Sequence, residues 1–236
     1  MIPRTTEHGE PEPDAGGGGR LAFAEAGAAA DLAAFLRRQL AWDRAAAARL
    51  TAGGDTAGTV AAVFTRPARF DVLAVRPGRL REPARLDLTV SAGELLEGID
   101  EESEAVVLPE PVTGPAWAGV LPPRGGWRQL AEVAHDEARA AAAGAVAEFR
   151  ERRERLADPD RTREALDALA EEIWSRTLPG TALPLRAVHA AQALGFLRSD
   201  APATVLSSGA WLRLGTPLGS IAVRGSGVRG LSVTPL

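Results

Sequence analysis

The chain has 236 residues, 45% of them hydrophobic, with a formal net charge of −4 and a pI near 5.5. That length allows one large domain or two smaller lobes, and the acidic balance argues against a general nucleic-acid or anionic-membrane binder. All 27 basic residues are Arg, and Lys, Asn, Cys and Tyr are absent, which excludes disulfides, thiolate chemistry, Schiff bases, the P-loop lysine and phenolic acid–base groups.

Codons for Lys, Asn and Tyr are AT-rich, so their absence is expected of a GC-rich, bacterial genome. Residues 1–19, MIPRTTEHGEPEPDAGGGG, are acidic and rich in Pro and Gly. They read as a disordered tail, lacking the basic start and apolar core of a secretory signal. No apolar run approaches the ~20 residues needed to span a bilayer. The expectation is a cytoplasmic protein without membrane contact.

From Leu21 to Leu50 an Ala-rich segment spaces Phe23, Leu32, Phe35, Leu36 and Leu40 for one helical face. Asp31 could cap a shorter helix within it, and TAGGDTAG (51–58) ends it. Three strand-like runs follow, 59–65, 70–75 and 85–90, the last alternating polar and apolar residues. Ser91 with Glu94 predicts a helix N-cap, Gly98 the end of that helix, and 105–108 a fourth strand. PEPVTGPAWAGVLPPRGG (109–126) holds five Pro and four Gly and reads as an irregular connector. A long helix is predicted over 127–156, a second over 160–176 and an apolar third over 185–197. Strand-like pieces at 204–206, 211–214 and 220–224 complete the chain.

The predicted fold class is therefore α+β. An N-terminal helix plus small antiparallel sheet (20–108) and the connector (109–126) precede a three-helix section closed by a C-terminal β-hairpin or small sheet (127–236). Whether the two sheet portions join is left open.

No motif fixes a catalytic function. GSGVRG (225–230) matches a dinucleotide-site pattern, but too little chain follows for the helix that pattern needs. Glu132 and His135 at i,i+3 of one helix could be two ligands of a metal, although the second such pair of a di-iron bundle is missing; a solvated helix face is the plainer reading. His189 lies on an apolar helix, where a core histidine held by a backbone carbonyl is the plainer reading. Ser207 and Ser208 have no nucleophile-elbow context. No cofactor is implied.

Three helices followed by strands is the element order of a winged-helix domain. On that reading Arg186 and Gln192 would face DNA from the third helix, and Arg213 and Arg224 from the wing. However, 14 Arg against 13 acidic residues from 127 onward make a poor electrostatic footprint. Trp117, set among Pro and Gly with Arg124 nearby, is the preferred interaction candidate, since exposed Trp and Arg anchor interfaces; the competing reading buries Trp117 in the core. The sequence favours a non-enzymatic interaction or regulatory protein, binding an unknown protein partner or a second copy. A DNA-binding regulator and a small hydrolase or metal enzyme using Asp, Glu and His are the alternatives.

Overall fold

A computed structural model describes residues 19–53, 57–68 and 70–225. The expected tail, apart from Gly19, and the GSGVRG stretch beyond Gly225 lie outside the described residues.

In chain order, β1 (Arg20–Ala22) leads into α1 (Ala28–Trp42), followed by β2 (Ala47–Ala52), β3 (Val60–Thr65), β4 (Leu73–Arg79) and β5 (Leu86–Ser91). Gly27 at the α1 N-cap takes a left-handed conformation (φ 81°), and the Glu104 carboxylate accepts from the Gly27 and Ala29 amides at 2.5 and 2.9 Å. A distant acid thus supplies the cap; Asp31 sits inside the first turn. Ser91 caps α2 (Ala92–Glu97) by accepting from the Glu94 amide at 3.4 Å, and Gly98 ends it. The short strands β6 (Ile99–Asp100) and β7 (Ala105–Val107) form a small sheet with β1 in the order β1-β7-β6.

The second half holds β8 (Arg128–Val133), α3 (His135–Arg155), α4 (Arg163–Trp174), α5 (Leu185–Ala193), β9 (Ala203–Ser208), β10 (Trp211–Thr216) and β11 (Gly219–Arg224). Here the fold departs from expectation. Residues 128–133 form a strand rather than the first turns of a long helix, because pairing with β9 overrides their helical periodicity. Residues 47–50, read as the end of a helix, and 51–52, read as the break after it, are also a strand, paired on both sides.

The dominant feature is one eight-stranded antiparallel sheet, ordered β5-β2-β3-β4-β11-β10-β9-β8. This overturns the expected three-helix section closed by a small sheet, and with it the structural premise of a winged helix. The strands read as a wing lie inside the large sheet. The two sheet portions do join, at β4–β11, where Val75, Ala74 and Leu73 face Ser220, Ile221 and Ala222.

One face of the sheet carries Ala48, Leu50, Val63, Ala74, Ile221, Leu214 and Val205 into a single core cluster that also takes in α1, α2, α5 and the small sheet. Phe35 of α1 stacks on Phe196, beyond α5, at 5.6 Å, so the core is continuous across the two halves. The opposite face bears Thr89, Arg49, Phe64, Leu73, Ala222 and Arg213. Residues 109–126 run across it as a strap. The Val112 amide bonds the Thr89 carbonyl at 2.8 Å on the edge strand β5. Ala118 is buried. Ser208 Oγ on β9 donates to the Gly125 carbonyl at 3.2 Å, and the Arg213 guanidinium lies 3.9 Å from the Trp127 ring centroid. The other edge strand, β8, carries a bulge between Gln129 and Ala131, which spoils the flat ladder a passing strand would need.

Candidate functional site

The α5 sequence LRAVHAAQA turns Ala187, Val188, Ala190 and Ala191 into the core. Arg186 and His189, three residues apart and so on one side of the helix, look instead toward α4. That helix is amphipathic: Leu169 and Ile173 are buried, and Trp174 comes to lie flat against His189, at 4.4 Å and 12°. From His189 the ring contacts continue to Phe70 at 5.1 Å and on to Trp42 at 5.3 Å, while Phe149 of α3 lies 6.3 Å from Trp174. Five rings from five stretches of chain thus form one continuous aromatic wall. They line an open cleft of about 1380 Å³. Trp42, 39% exposed, is its most open ring.

Charged groups of both signs ring this cleft. Arg186 pairs with Glu171 at 2.6 Å, and Arg163 lies 3.7 Å from Asp167 with both side chains largely exposed. Arg161 is committed to the end of α3, donating to the Arg153 and Glu154 carbonyls and to Asp158. Arg153 is exposed and has no ion-pair partner among the described residues. Of the nitrogens buried without a hydrogen-bond partner among the described residues, two belong to residues of this cleft, Nε of Arg186 and Nδ1 of His189. Burial pushes the His189 imidazole below its ordinary pKa of 6.5, so at neutral pH the ring is uncharged. A bare lone pair is the less costly buried orphan, which places the proton on Nε2.

A second cleft, of about 750 Å³, adjoins the first along the Arg186–Glu171 pair and holds Trp117, Val120, Trp211 and Arg224. A third, of about 990 Å³, shares Arg66, Asp71 and Trp117 with it. All three open at one end of the sheet, around the β3–β4 connection. That connection is pegged to α1 by buried Gln39, whose Nε2 donates to the Arg66 carbonyl at 3.2 Å and whose Oε1 accepts from Thr65 at 3.3 Å. Beside the first cleft, Arg152 and Arg176 clamp Glu148 and Glu172 between α3 and α4. Hydrogen bonds from Arg152 and then Arg176 hold the Glu172 carboxyl down at about 2.

The sequence candidates fall unevenly on this geometry. Trp117, Arg186 and Arg224 meet in the second cleft, with Trp117 half-buried between its two expected fates. Arg124 is exposed on the strap, outside all three clefts, and Gln192 is exposed elsewhere on α5. Arg213 is drawn under Trp127 on the strap-covered face, so the four residues of the DNA reading do not share a surface. Glu132 and His135 are not on one helix: Glu132 is exposed on edge strand β8, while His135 opens α3, with its Nε2 3.1 Å from the Leu197 carbonyl. The backbone-held histidine is thus His135, and His189 is the unpartnered one. Among the described residues no three His, Asp or Glu side chains come together to hold a metal ion, and no described helix is long and apolar enough to cross a membrane.

The aromatic wall was missed in the sequence because each ring reads as local core. The one available signal is scarcity: with aromatics only 5% of the chain, any gathering of them is informative.

Compared with known protein families, residues 18–119 match the model of a domain of unknown function, DUF8010. Residues 122–228 match that of a second domain of unknown function, DUF8185, leaving Val120 and Leu121 of the strap between the two. No curated protein matches the chain.

Proposed function

We propose that this chain is a non-enzymatic interaction protein whose docking surface is the aromatic cleft between α1, α3, α4 and α5. The observation that carries the reading is the five-ring wall, left open beside arginines. Trp and Arg are the side chains that anchor protein interfaces most often, through large contact area and geometric hydrogen bonding. The cleft volume of about 1380 Å³ exceeds the roughly 300–1,000 Å³ of small-molecule pockets and suits a polypeptide segment. A catalytic reading built on His189 needs its second ring nitrogen oriented by a partner. Nδ1 of His189 has none, and no Ser or Thr lines that cleft.

The test is hydrogen exchange on the protein purified with its partner from its own host, compared with the partner-free chain. Protection gained at residues 41–42, 68–70 and 166–174 is expected. Protection confined to the β8 edge or to the small sheet would refute the reading.

A further inference from the structure

The two sides of the cleft also indicate the chemistry of what fills it. We infer that the occupant is an acidic segment of a partner protein that presses an aromatic side chain against the Trp42–Phe70–His189–Trp174 wall and sets carboxylates on Arg153 and Arg163. This rests on the docking reading above and narrows it to one class of partner.

The apolar half of the argument is the wall itself. Trp42 is 39% exposed although Phe70 packs against it. A large ring is the group that best covers such a surface, by offset or edge-to-face contact.

The charged half is which arginines are free. Arg161 is spent on carbonyls of the α3 end and on Asp158, and Arg186 on Glu171. Arg153 has no ion pair among the described residues, and Arg163 has only a long, solvent-exposed contact of 3.7 Å with Asp167. These two cations stand at the cleft mouth ready to take carboxylates, bidentately where geometry allows. His189 adds a neutral Nε2–H donor, suited to a backbone carbonyl or side-chain oxygen.

A nucleic-acid strand would meet the same rings but a worse field. Asp167 and Glu171 line the cleft among the arginines, and a strand carrying a charge on every phosphate would run past both. Grooves for single strands are continuously positive, and the chain as a whole carries −4. A peptide can place one or two carboxylates on Arg153 and Arg163 and leave the acidic positions to its amides.

The experiment is selection of a displayed random 12-residue peptide library on the full chain, with the same selection on Trp42→Ala and Arg153→Glu. Both substituted side chains reach solvent, and circular dichroism would verify that each variant folds. The expected outcome is enrichment of peptides pairing Phe, Trp or Tyr with neighbouring Asp or Glu. The best of them, dye-labelled, should bind in fluorescence polarisation, lose at least about tenfold in affinity to each variant, and weaken with added salt. Enrichment of basic or non-aromatic peptides, affinity unchanged in Arg153→Glu, no enrichment at all, or tighter binding of a labelled 12-nucleotide oligothymidine would each overturn the inference. Failure here is separable from failure of the docking reading. If the host partner still protects the cleft from exchange, only the acidic-aromatic assignment falls.

Discussion

Replacing Phe196 by Ala asks whether the two halves of the chain, matched by two different family models, fold as one unit. Phe196 is 2% exposed and stacks on Phe35 of α1, with ring centroids 5.6 Å apart and planes 22° from parallel. Its ring also lies on the start of β11. A Cβ at Gly219, where φ is +149°, would stand 2.7 Å from the ring and 2.9 Å from the Val75 carbonyl, so glycine there lets ring and strand touch. Removing a fully buried Phe ring costs roughly 3–5 kcal/mol through lost transfer energy and the cavity left behind. About 0.5–1.5 kcal/mol of that is the ring pair itself. At roughly 2–4 °C per kcal/mol for a chain of this size, the midpoint should fall by about 6–20 °C. The assay is thermal unfolding followed through single-tryptophan variants retaining either Trp42 or Trp211, which report on opposite sides of the β4–β11 seam. Both reporters should shift together, because the seam hydrogen bonds and the Phe35–Phe196 pair belong to one core. Two separate transitions, with the Trp42 transition unmoved, would falsify the shared-core reasoning.

Glu172 titrates at about 2 rather than its ordinary 4.5 because Arg152, then Arg176, donate to it. The clamp between α3 and α4 should therefore be fully present above about pH 4.5 and weaken as pH falls toward 2; hydrogen exchange of both helices across that range would show it, and Glu172→Gln should flatten the dependence. His189, lowered by burial, stays neutral in the folded chain while the unfolded chain takes up a proton, so its contribution to stability is lost as pH drops below about 6.5. An NMR titration giving a midpoint at or above 6.5 would contradict the burial argument. Ser91→Ala removes the side-chain cap of α2 and should cost about 1 kcal/mol, read as a small drop in thermal midpoint; no change would mean that packing alone holds the α2 start.

Local chemistry was legible where local chemistry decides the structure. The Ser91 cap, the Gly98 stop, the strand runs at 59–65 and 85–90 and the break before α4 all follow from neighbours within four residues. What failed was the choice between helix and strand in Ala-rich stretches. Residues 47–52 (AARLTA) and 128–133 (RQLAEV) carry no strong strand formers beyond Thr51 and Val133, and their conformation is set by partners 9 to 79 positions away in sequence. That is tertiary override of propensity, and it turned two modest errors into a wrong fold. The site suffered for the same reason. Trp42 closes a helix, Phe70 follows a turn and His189 sits on an apolar helix, so no spacing rule links them. Arg186, offered for DNA contact, lies instead in the wall shared by two clefts because Glu171, one helix away, claims its guanidinium.

The position of the clefts follows from how the sheet is closed. Joining β4 to β11 leaves the β3–β4 connection in the middle of one sheet end, and the Gln39 peg fixes it there through two hydrogen bonds inside the core. Arg66, Phe70 and Asp71 then line the clefts from a connection that Gln39 ties to the core at Thr65 and Arg66. Trp42 and Phe70 come from one half of the chain, Trp174 and His189 from the other. An occupant touching both pairs binds only the joined state, so it stabilises the seam by mass action. Binding at the cleft should therefore raise the single thermal transition as a whole and leave no half of the molecule behind.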